Sequence, residues 1–343
     1  MRILWVGGGT GGHLTPALGL AEAMEERGHT CLFLVNGREV EKNYFEGHRE
    51  YQSLGVDGGH YPRWLALAKA CRKARRMARE FNPDLVVALG GSGSLPAMFA
   101  KRGCPLVLLE GNFTFGRAVR WMKPFAQLLL TQFSQTAASS KKAVAIGPVR
   151  RKLSAPMSKA DACRHFGFDP QKPVLLMTGG SQGARQVNQF LAKQCENLVA
   201  AEVQVLALVG PGNAADFPTP NSSMVKVLEH CDAMGAAWSA ADFALCRGGA
   251  STLGELWLHA VPAAIIPYPG HQDHQQERNA QALEPGVLVL DLADPERAQR
   301  VFWEALFDQQ TSQQMAAHLR STQPPEGLQK ALAALEEIGA GKA

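Results

Sequence analysis

Short runs of buried-type residues recur along the chain, and glycines follow several of them. In the first half these runs lie at residues 3–6, 31–35, 85–89, 106–109 and 128–131. The run at 3–6 leads into glycines 7–9 and 11–12, and the run at 85–89 leads into Gly90, Gly91 and Gly93. Helical periodicity separates them. The pattern therefore predicts parallel strands alternating with helices on both faces of a sheet.

The same arrangement starts again after a proline-punctuated stretch at 148–156. A strand-type run at 173–177 is followed by a glycine loop at 179–183 and a helical pattern at 184–195. Further runs lie at 203–208, 243–245 and 263–266. Because 343 residues exceed what one core usually serves, we predict two Rossmann-like, doubly wound parallel-sheet α/β domains, residues 1–152 and 153–343.

Parallel sheets of this kind bind ligands beyond the carboxyl ends of their strands. The two glycine loops are therefore expected to face each other across a cleft. Helical periodicity also predicts two closing helices, at 297–319 and 326–339, and the last is expected to return to the N-terminal domain.

Charge is distributed unevenly between the halves. Residues 1–152 hold 22 Lys and Arg against 11 Asp and Glu, a net charge of +11, although the whole chain carries only +4. Residues 63–81 contain seven basic residues before the first acid, Glu80, beside an apolar stripe that includes Trp64, Cys71 and Ala78. A basic amphipathic helix of this kind lies on anionic lipid or presents a solvated face, and both remain open.

Other features limit the class of protein. No apolar run reaches the roughly 18 residues of a membrane-spanning helix, and the N-terminus lacks the pattern of a signal peptide. The seven cysteines form no CxxC pair, which favours reduced thiols in a cytoplasm. No aromatic platform motif accompanies the basic residues, so nucleic acid is not an expected partner.

The first glycine loop has the G-x-G-x-x-G spacing at Gly7, Gly9 and Gly12. Such a loop before a helix N-terminus suits a phosphate, and by itself it also suits a dinucleotide cofactor. A dinucleotide site usually has an acidic residue at the end of the second strand, where it binds the ribose, and this chain has Asn36 there. His13 follows at the junction of loop and helix, a position suited to acid–base chemistry beside a phosphate.

Five motifs resemble those of the MurG family of N-acetylglucosaminyltransferases. They occur in the family's order, at residues 8–13, 147–150, 179–185, 246–255 and 271–279. The family adds N-acetylglucosamine to the lipid-linked muramyl-pentapeptide of peptidoglycan synthesis. The resemblance implies the GT-B fold, with the sugar nucleotide on the C-terminal domain and the acceptor on the N-terminal one. It also implies inversion at the anomeric carbon, no cofactor and no bound metal, and the sequence contains no Asp-x-Asp.

The resemblance assigns the donor site. Ser181 and Gln182 in the second glycine loop would hold the diphosphate, together with Thr252 at the start of a later helix. Glu255 would bind both ribose hydroxyls, Gln275, Gln276 and Asn279 the sugar hydroxyls, and Cys231 and Met234 would flank the uracil. Arg150 would stabilise the leaving diphosphate. The motif also places four further residues in this site: Ala250, Ser251, Leu253 and Gly254.

On the acceptor side His13 is the candidate general base or, alternatively, a ligand of the acceptor's phosphate. Thr10, Gly11, Gly12, Gly91 and Asn112 would complete the acceptor and phosphate loops. This half departs from the family pattern. The loop at 90–96 lacks the family's tyrosine, and residues 109–112 read Leu-Glu-Gly-Asn where the family has His-Glu-Gln-Asn.

The function expected from the resemblance is transfer of N-acetylglucosamine from UDP-N-acetylglucosamine to undecaprenyl-diphosphate-linked N-acetylmuramyl-pentapeptide. The enzyme would work as a peripheral protein on the cytoplasmic face of the inner membrane, against an anionic lipid surface. Three alternatives stay open. They are another UDP-sugar-dependent lipid glycosyltransferase, a UDP-sugar epimerase on the same fold, and a nucleotide-binding protein without activity.

Overall fold

A computed structural model describes most of the chain. The described residues are 1–9, 11–38, 41, 44–45, 51–55, 63–101, 103–215, 217, 220, 222–270, 273–323 and 327–341, without the side chains of residues 63 and 153. Two compact units are present, residues 1–151 with 324–343 (unit 1) and residues 152–323 (unit 2). Within the described ranges no helix is both long and apolar enough to cross a bilayer.

Unit 1 is built on a seven-stranded sheet in which all neighbouring strands are parallel. The order is β3-β2-β1-β4-β5-β6-β7. The strands are β1 Arg2–Val6, β2 Thr30–Val35, β3 Tyr51–Ser53, β4 Leu85–Ala88, β5 Leu106–Glu110, β6 Leu128–Thr131 and β7 Ala143–Ala145. The helices are α1 Gly11–Glu26, α2 Arg63–Phe81, α3 Ala97–Ala100, α4 Arg117–Met122 and α5 Ser134–Ala138, with 3-10 turns at Ser92–Ser94 and Lys123–Phe125.

Unit 2 repeats this design with six parallel strands in the order β10-β9-β8-β11-β12-β13. Its strands are β8 Val174–Thr178, β9 Gln204–Leu208, β10 Val225–Leu228, β11 Phe243–Cys246, β12 Ala263–Ile265 and β13 Val287–Val289. Its helices are α6 Lys159–Phe166, α7 Arg185–Ala192, α8 Cys195–Ala200, α9 Met234–Ala240, α10 Ala250–His259, α11 Gln275–Gln281, α12 Pro295–Phe307 and α13 Gln309–Thr322, after a 3-10 turn at Lys152–Ser154.

The two predicted parallel-sheet α/β domains are therefore confirmed. In each unit the inner strands are buried on both faces, which explains why their sequences are almost continuously apolar. The last helix, α14 Gly327–Gly339, packs Leu332 and Leu335 into the core of unit 1 beside α1. An ion pair from Arg27 and a hydrogen bond between His29 Nε2 and Glu336 hold its exposed side.

The prediction of a single helix at 297–319 is wrong. The chain forms two helices that meet at Asp308, whose extended backbone (φ −77°, ψ 96°) ends α12. The Asp308 carboxylate accepts hydrogen bonds from the Thr311 hydroxyl and from the backbone N–H groups of Thr311 and Gln310, and these bonds, the hydroxyl's first, lower its pKa. An aspartate that caps the next helix is a recognisable start signal that the apolar periodicity concealed.

The predicted apolar stripe of α2 is confirmed at Cys71, Ala74 and Ala78, which are buried, and wrong at Trp64 and Ala68, which are exposed. The buried row is Ala66, Ala70, Ala74 and Ala78, and the predicted Trp64 is 69% exposed. Alanines four residues apart form one face of a helix, and their small side chains let α2 lie close to the sheet. The basic residues occupy the outer face.

Candidate active-site loops

The second glycine loop of the chain, residues 179–183 of unit 2, lies where the ends of β8 and β9 come close together. Gly183 (φ +72°) follows β8, and a Cβ added there would collide with the carbonyl oxygen of Val209 after β9. A Cβ at Gly210 would in turn strike the Gly183 backbone. Asn188 of α7 donates to the same Val209 carbonyl at 2.9 Å. The loop is thus fixed by backbone packing that only glycine permits.

Ser181 and Gln182 lie on the outer part of this loop. Ser181 is half-buried and Gln182 is exposed, while Gly180 (φ +81°) has open space where a side chain would be. Backbone N–H groups in a glycine loop that leads into a helix form a site suited to a phosphate. Within the loop, Gly180 N–H donates to Thr178 Oγ1 at 3.2 Å and Gly183 N–H donates to the Gly180 carbonyl at 3.0 Å, so these two groups hold the loop's own shape.

Helix α10 begins directly after Gly248 and Gly249, and it carries the predicted residues 250–255. Ser251, Thr252 and Glu255 are half-buried along it, whereas Leu253 and Gly254 are buried. Gly249, the residue before its first turn, has an extended backbone (φ −70°, ψ 137°), so the chain enters the helix directly from the two glycines.

Glu255 is held by a tryptophan from the neighbouring helix. Trp238 Nε1, on α9, donates to Glu255 Oε2 at 2.9 Å. Trp238 is almost completely buried, with 1% of its surface exposed, so the indole is a fixed donor. One carboxylate oxygen of Glu255 therefore has a set position, and the orientation of the group is determined before any ligand arrives.

The predicted uracil-flanking residues lie near this carboxylate. Burial raises the pKa of the Cys231 thiol, and the negative charge of Glu255 contributes to the same direction. Burial and Glu255 likewise raise the pKa of Cys246 at the end of β11. Met234 is the first residue of α9, the helix of Trp238. Cys231, Met234 and Glu255 thus belong to one neighbourhood in which the thiols stay protonated at neutral pH.

Arg247 is a structural residue of this site that the sequence reasoning did not assign. Its guanidinium donates to the carbonyls of Ile266 (3.0 Å) and Pro267 (2.8 Å) after β12, and to Gln186 of α7 (3.0 Å). Desolvation lowers its pKa, and its side chain lies over the Tyr268 ring. Arg247 ties the ends of two strands to α7. In the sequence, Arg247 is the single basic residue of the motif at 246–255, and this contrast is the signal that could have identified it.

Helix α11 supplies polar side chains, two of which serve the protein itself. Asn279 is 1% exposed and donates to the carbonyl of Gly248 at 3.1 Å. Gln276 Oε1 accepts from the backbone N–H of Tyr268 at 2.9 Å. A Cβ at Gly248 would collide with the Gln276 carbonyl, so the motif and α11 are in close contact. Gln275 is half-buried at the helix start.

In unit 1, His13 lies between two glycine loops. Its ring is hydrogen-bonded to the Gly8 backbone. On the other side a Cβ at Gly91 would lie 3.0 Å from His13 Cε1, and one at Gly90 would lie 3.4 Å from Cδ2. The loops after β1 and β4 therefore meet at the imidazole. Burial, and secondarily the charge of Arg38, lower the pKa of His13, while the bond to Gly8 opposes them.

The remaining acceptor-side predictions lie near the ends of β1, β5 and β7. Glu110 is 3% exposed and accepts hydrogen bonds from Asn112 N, Asn112 Nδ2 and Gly116 N, at 2.8–3.0 Å. Burial raises the Glu110 pKa. Arg150 belongs to unit 1 and has an exposed side chain. Gly11 is buried and Gly12 exposed. Thr10 lies outside the described residues.

Matches to family profiles cover most of both units. Residues 3–131 match the Glycosyltransferase family 28 N-terminal domain, and residues 174–330 match the Glycosyltransferase family 28 C-terminal domain. The chain belongs to glycosyltransferase family 28. Enzymes of this family are hexosyltransferases. The resemblance to the MurG family that the five motifs indicated is confirmed.

Among curated relatives of this family 28 chain, one from Nocardioides sp. is 35% identical over 316 residues, which is 85% of each chain. Another, from Halothermothrix orenii, is 28% identical over 86% of each chain. Both carry the name UDP-N-acetylglucosamine–N-acetylmuramyl-(pentapeptide) pyrophosphoryl-undecaprenol N-acetylglucosamine transferase.

Solved structures show the same fold at lower identity. MurG of Acinetobacter baumannii superposes with a TM-score of 0.76 at 22% identity, covering 98% of this family 28 chain and 99% of the other. A UDP-N-acetylglucosamine 2-epimerase from Listeria monocytogenes gives 0.72 at 12% identity, covering 98% and 96%. These structural similarities confirm the GT-B fold.

Proposed function

We propose that the chain transfers N-acetylglucosamine from UDP-N-acetylglucosamine to undecaprenyl-diphosphate-linked N-acetylmuramyl-pentapeptide. The observation that carries the proposal is the match, over 85% of both chains, to a transferase of that name at 35% identity. The two family 28 matches, at residues 3–131 and 174–330, include the glycine loops of both units and so support the proposal at the site as well as at the level of the fold.

Unit 2 binds the donor. The diphosphate lies on the second glycine loop and the N-terminus of α10, with Ser181 and Thr252 adding hydroxyl groups. Glu255, oriented by Trp238, accepts hydrogen bonds from the ribose hydroxyls. Gln275 reads the sugar hydroxyls, and Gln276 and Asn279 maintain the shape of this surface through their contacts with Tyr268 and Gly248.

His13 acts as the general base. Its lowered pKa keeps the imidazole neutral at pH 7, the form that accepts a proton from the attacking acceptor hydroxyl. Asn112 and Gly91 line the acceptor side. The charge that develops on the leaving UDP is stabilised by the N–H groups of the second glycine loop. With the acceptor oxygen attacking as UDP departs, the anomeric configuration inverts.

The outer face of α2 places the enzyme on anionic lipid at the cytoplasmic face of the membrane. Trp64 is 69% exposed at the start of this helix, and Arg72, Arg75, Arg76 and Arg79 are exposed along it. Phe99 of α3, the helix that packs beside α2, is 52% exposed. Exposed aromatic rings among basic residues suit the interfacial region of a bilayer.

A direct assay tests the proposal. Purified protein is incubated with radiolabelled UDP-N-acetylglucosamine and a lipid-linked muramyl-pentapeptide, and the lipid product is analysed for the disaccharide. Transfer only to a different glycolipid would favour another lipid glycosyltransferase. Donor consumption without any acceptor would favour an epimerase, and UDP binding without turnover would favour a silent nucleotide-binding protein.

A further inference from the structure

A buried carboxylate in unit 1 has no role in the mechanism above. Glu41 is 1% exposed, and its two oxygens accept hydrogen bonds from the backbone N–H groups of Gly9, Asn36, Gly37 and Arg38. Gly37 (φ +97°) helps its N–H and that of Arg38 converge on Oε2, at 2.6 and 2.8 Å. Converging backbone N–H groups form an anion-binding concavity, and here the protein's own carboxylate fills it.

One donor in this set belongs to the first glycine loop. Phosphate-binding loops of this type offer such N–H groups to a ligand. In this chain the Gly9 N–H is already bound to Glu41, and a Cβ at Gly8 would collide with the same carboxylate. An acceptor phosphate would have to displace a buried, multiply hydrogen-bonded carboxylate to reach Gly9, so this donor serves the structure of the loop.

Glu41 and Arg38 together bind both polar backbone groups of Gly9. Glu41 binds its N–H, and Arg38 Nη1 donates to its carbonyl oxygen at 2.9 Å. Asn36 connects this loop to the one after β4: with its amide turned so that both groups find partners, the oxygen accepts from Gly9 N (3.2 Å) and the nitrogen donates to Gly93 O (3.3 Å). Both loops that hold the His13 ring are therefore attached to the segment that follows β2.

We propose that Glu41 is a positioning residue for His13, acting through the first glycine loop. Its carboxylate takes the place of a bound anion and fixes the backbone of Gly8 and Gly9. Because the His13 imidazole is hydrogen-bonded to the Gly8 backbone, the position of the ring is fixed as well. The catalytic part of this proposal rests on the proposed function, whereas the placement of the His13 ring by Glu41 does not. Arg38 and Asn36 assist by holding the other polar groups of the same backbone.

Two measurements test the proposal on full-length protein. Steady-state kinetics compares wild type with Glu41→Gln, Glu41→Asp and Arg38→Gln. Two-dimensional ¹H–¹⁵N spectra of imidazole-labelled protein follow His13, assigned with a His13→Gln variant. Glu196→Gln, an exposed acid at the start of α8, is the matched control.

Glu41→Gln keeps the size of the side chain but replaces an acceptor oxygen with a donor that faces backbone N–H groups. We expect kcat to fall roughly 10- to 100-fold, as for other small displacements of a catalytic group. UDP affinity should stay within about two-fold, because Glu41 belongs to unit 1 and shares no hydrogen-bond partner with the donor residues proposed in unit 2. The His13 resonances should shift, Glu41→Asp should recover part of kcat, and Glu196→Gln should match wild type.

The two proposals fail in different ways. If wild type transfers no sugar, the proposed function fails, and the His13 spectra still decide the positioning role. If wild type is active and folded Glu41→Gln keeps its kcat and its His13 resonances, Glu41 only stabilises the fold and the inference is wrong. Should Glu41→Gln fail to fold, Glu41→Asp decides, since it shortens the side chain that holds the Gly9 N–H and leaves the Arg38 charge near His13 in place: unchanged kcat and His13 spectra overturn the inference.

Discussion

Trp238 Nε1 donates a 2.9 Å hydrogen bond to Glu255 Oε2, and this pair sets the orientation of the carboxylate proposed to bind ribose. Trp238→Phe removes the donor but keeps an aromatic ring. Because a hydrogen bond to a charged group contributes about 1.5–3 kcal/mol, we expect UDP to bind roughly 10-fold more weakly. Isothermal titration calorimetry measures the loss. Unchanged affinity would show that Glu255 needs no orienting partner.

Glu255→Ala should weaken UDP binding more than Trp238→Phe does, because it removes the acceptor of the ribose hydroxyls. The double variant should bind about as weakly as Glu255→Ala alone, since the two residues act as one unit. A UDP analogue without the 2′ and 3′ hydroxyls is the control. Wild type and Glu255→Ala should bind this analogue equally, and a persistent difference would contradict the ribose assignment.

His13→Ala should lower kcat by about 10²- to 10⁴-fold, the usual contribution of a general base, while UDP affinity is retained. Stopped assays with saturating acceptor, together with calorimetry, separate the two quantities. A raised acceptor KM with an unchanged kcat would instead indicate that His13 binds the acceptor's phosphate.

The pH dependence follows from the direction of the His13 shift. Burial and then Arg38 lower its pKa below 6.5, so the basic form persists at lower pH than in an exposed histidine. Activity should therefore decline only as pH falls through that lowered value. Arg38→Gln removes a positive charge, so it should move the acidic limb of kcat/KM toward higher pH. A limb that stays in place would exclude His13 as the titrating base.

Membrane binding should depend on the outer face of α2. Arg72→Gln with Arg75→Gln removes two exposed charges, each contributing about 1 kcal/mol near an anionic surface, which predicts roughly 30-fold weaker binding. Cosedimentation with phosphatidylglycerol vesicles measures it, with phosphatidylcholine vesicles as the lipid control. Phe307→Ser, an exposed aromatic of unit 2, is the control variant. Equal binding by all variants would place the lipid contact elsewhere.

Much of the fold was readable because local pattern and burial agree. Every long apolar run became a central strand, and the glycines after β1, β4 and β8 mark real strand ends. The short edge strands β3, β7, β10 and β13 were missed, since three or four residues at a sheet edge leave little periodicity. The break at Asp308 was missed because apolar periodicity continues across two consecutive helices.

The sequence by itself determined the two parallel-sheet domains, the family and the residues proposed for the donor site, because motifs and hydrophobic period are local properties. Only the tertiary structure decided which groups meet. Trp238 lies 17 residues from Glu255, and Glu41 lies 32 residues from Gly9. Neighbouring parallel strands and helices bring such pairs together, and hydrogen-bond geometry, which no linear pattern records, then gives each carboxylate its partners.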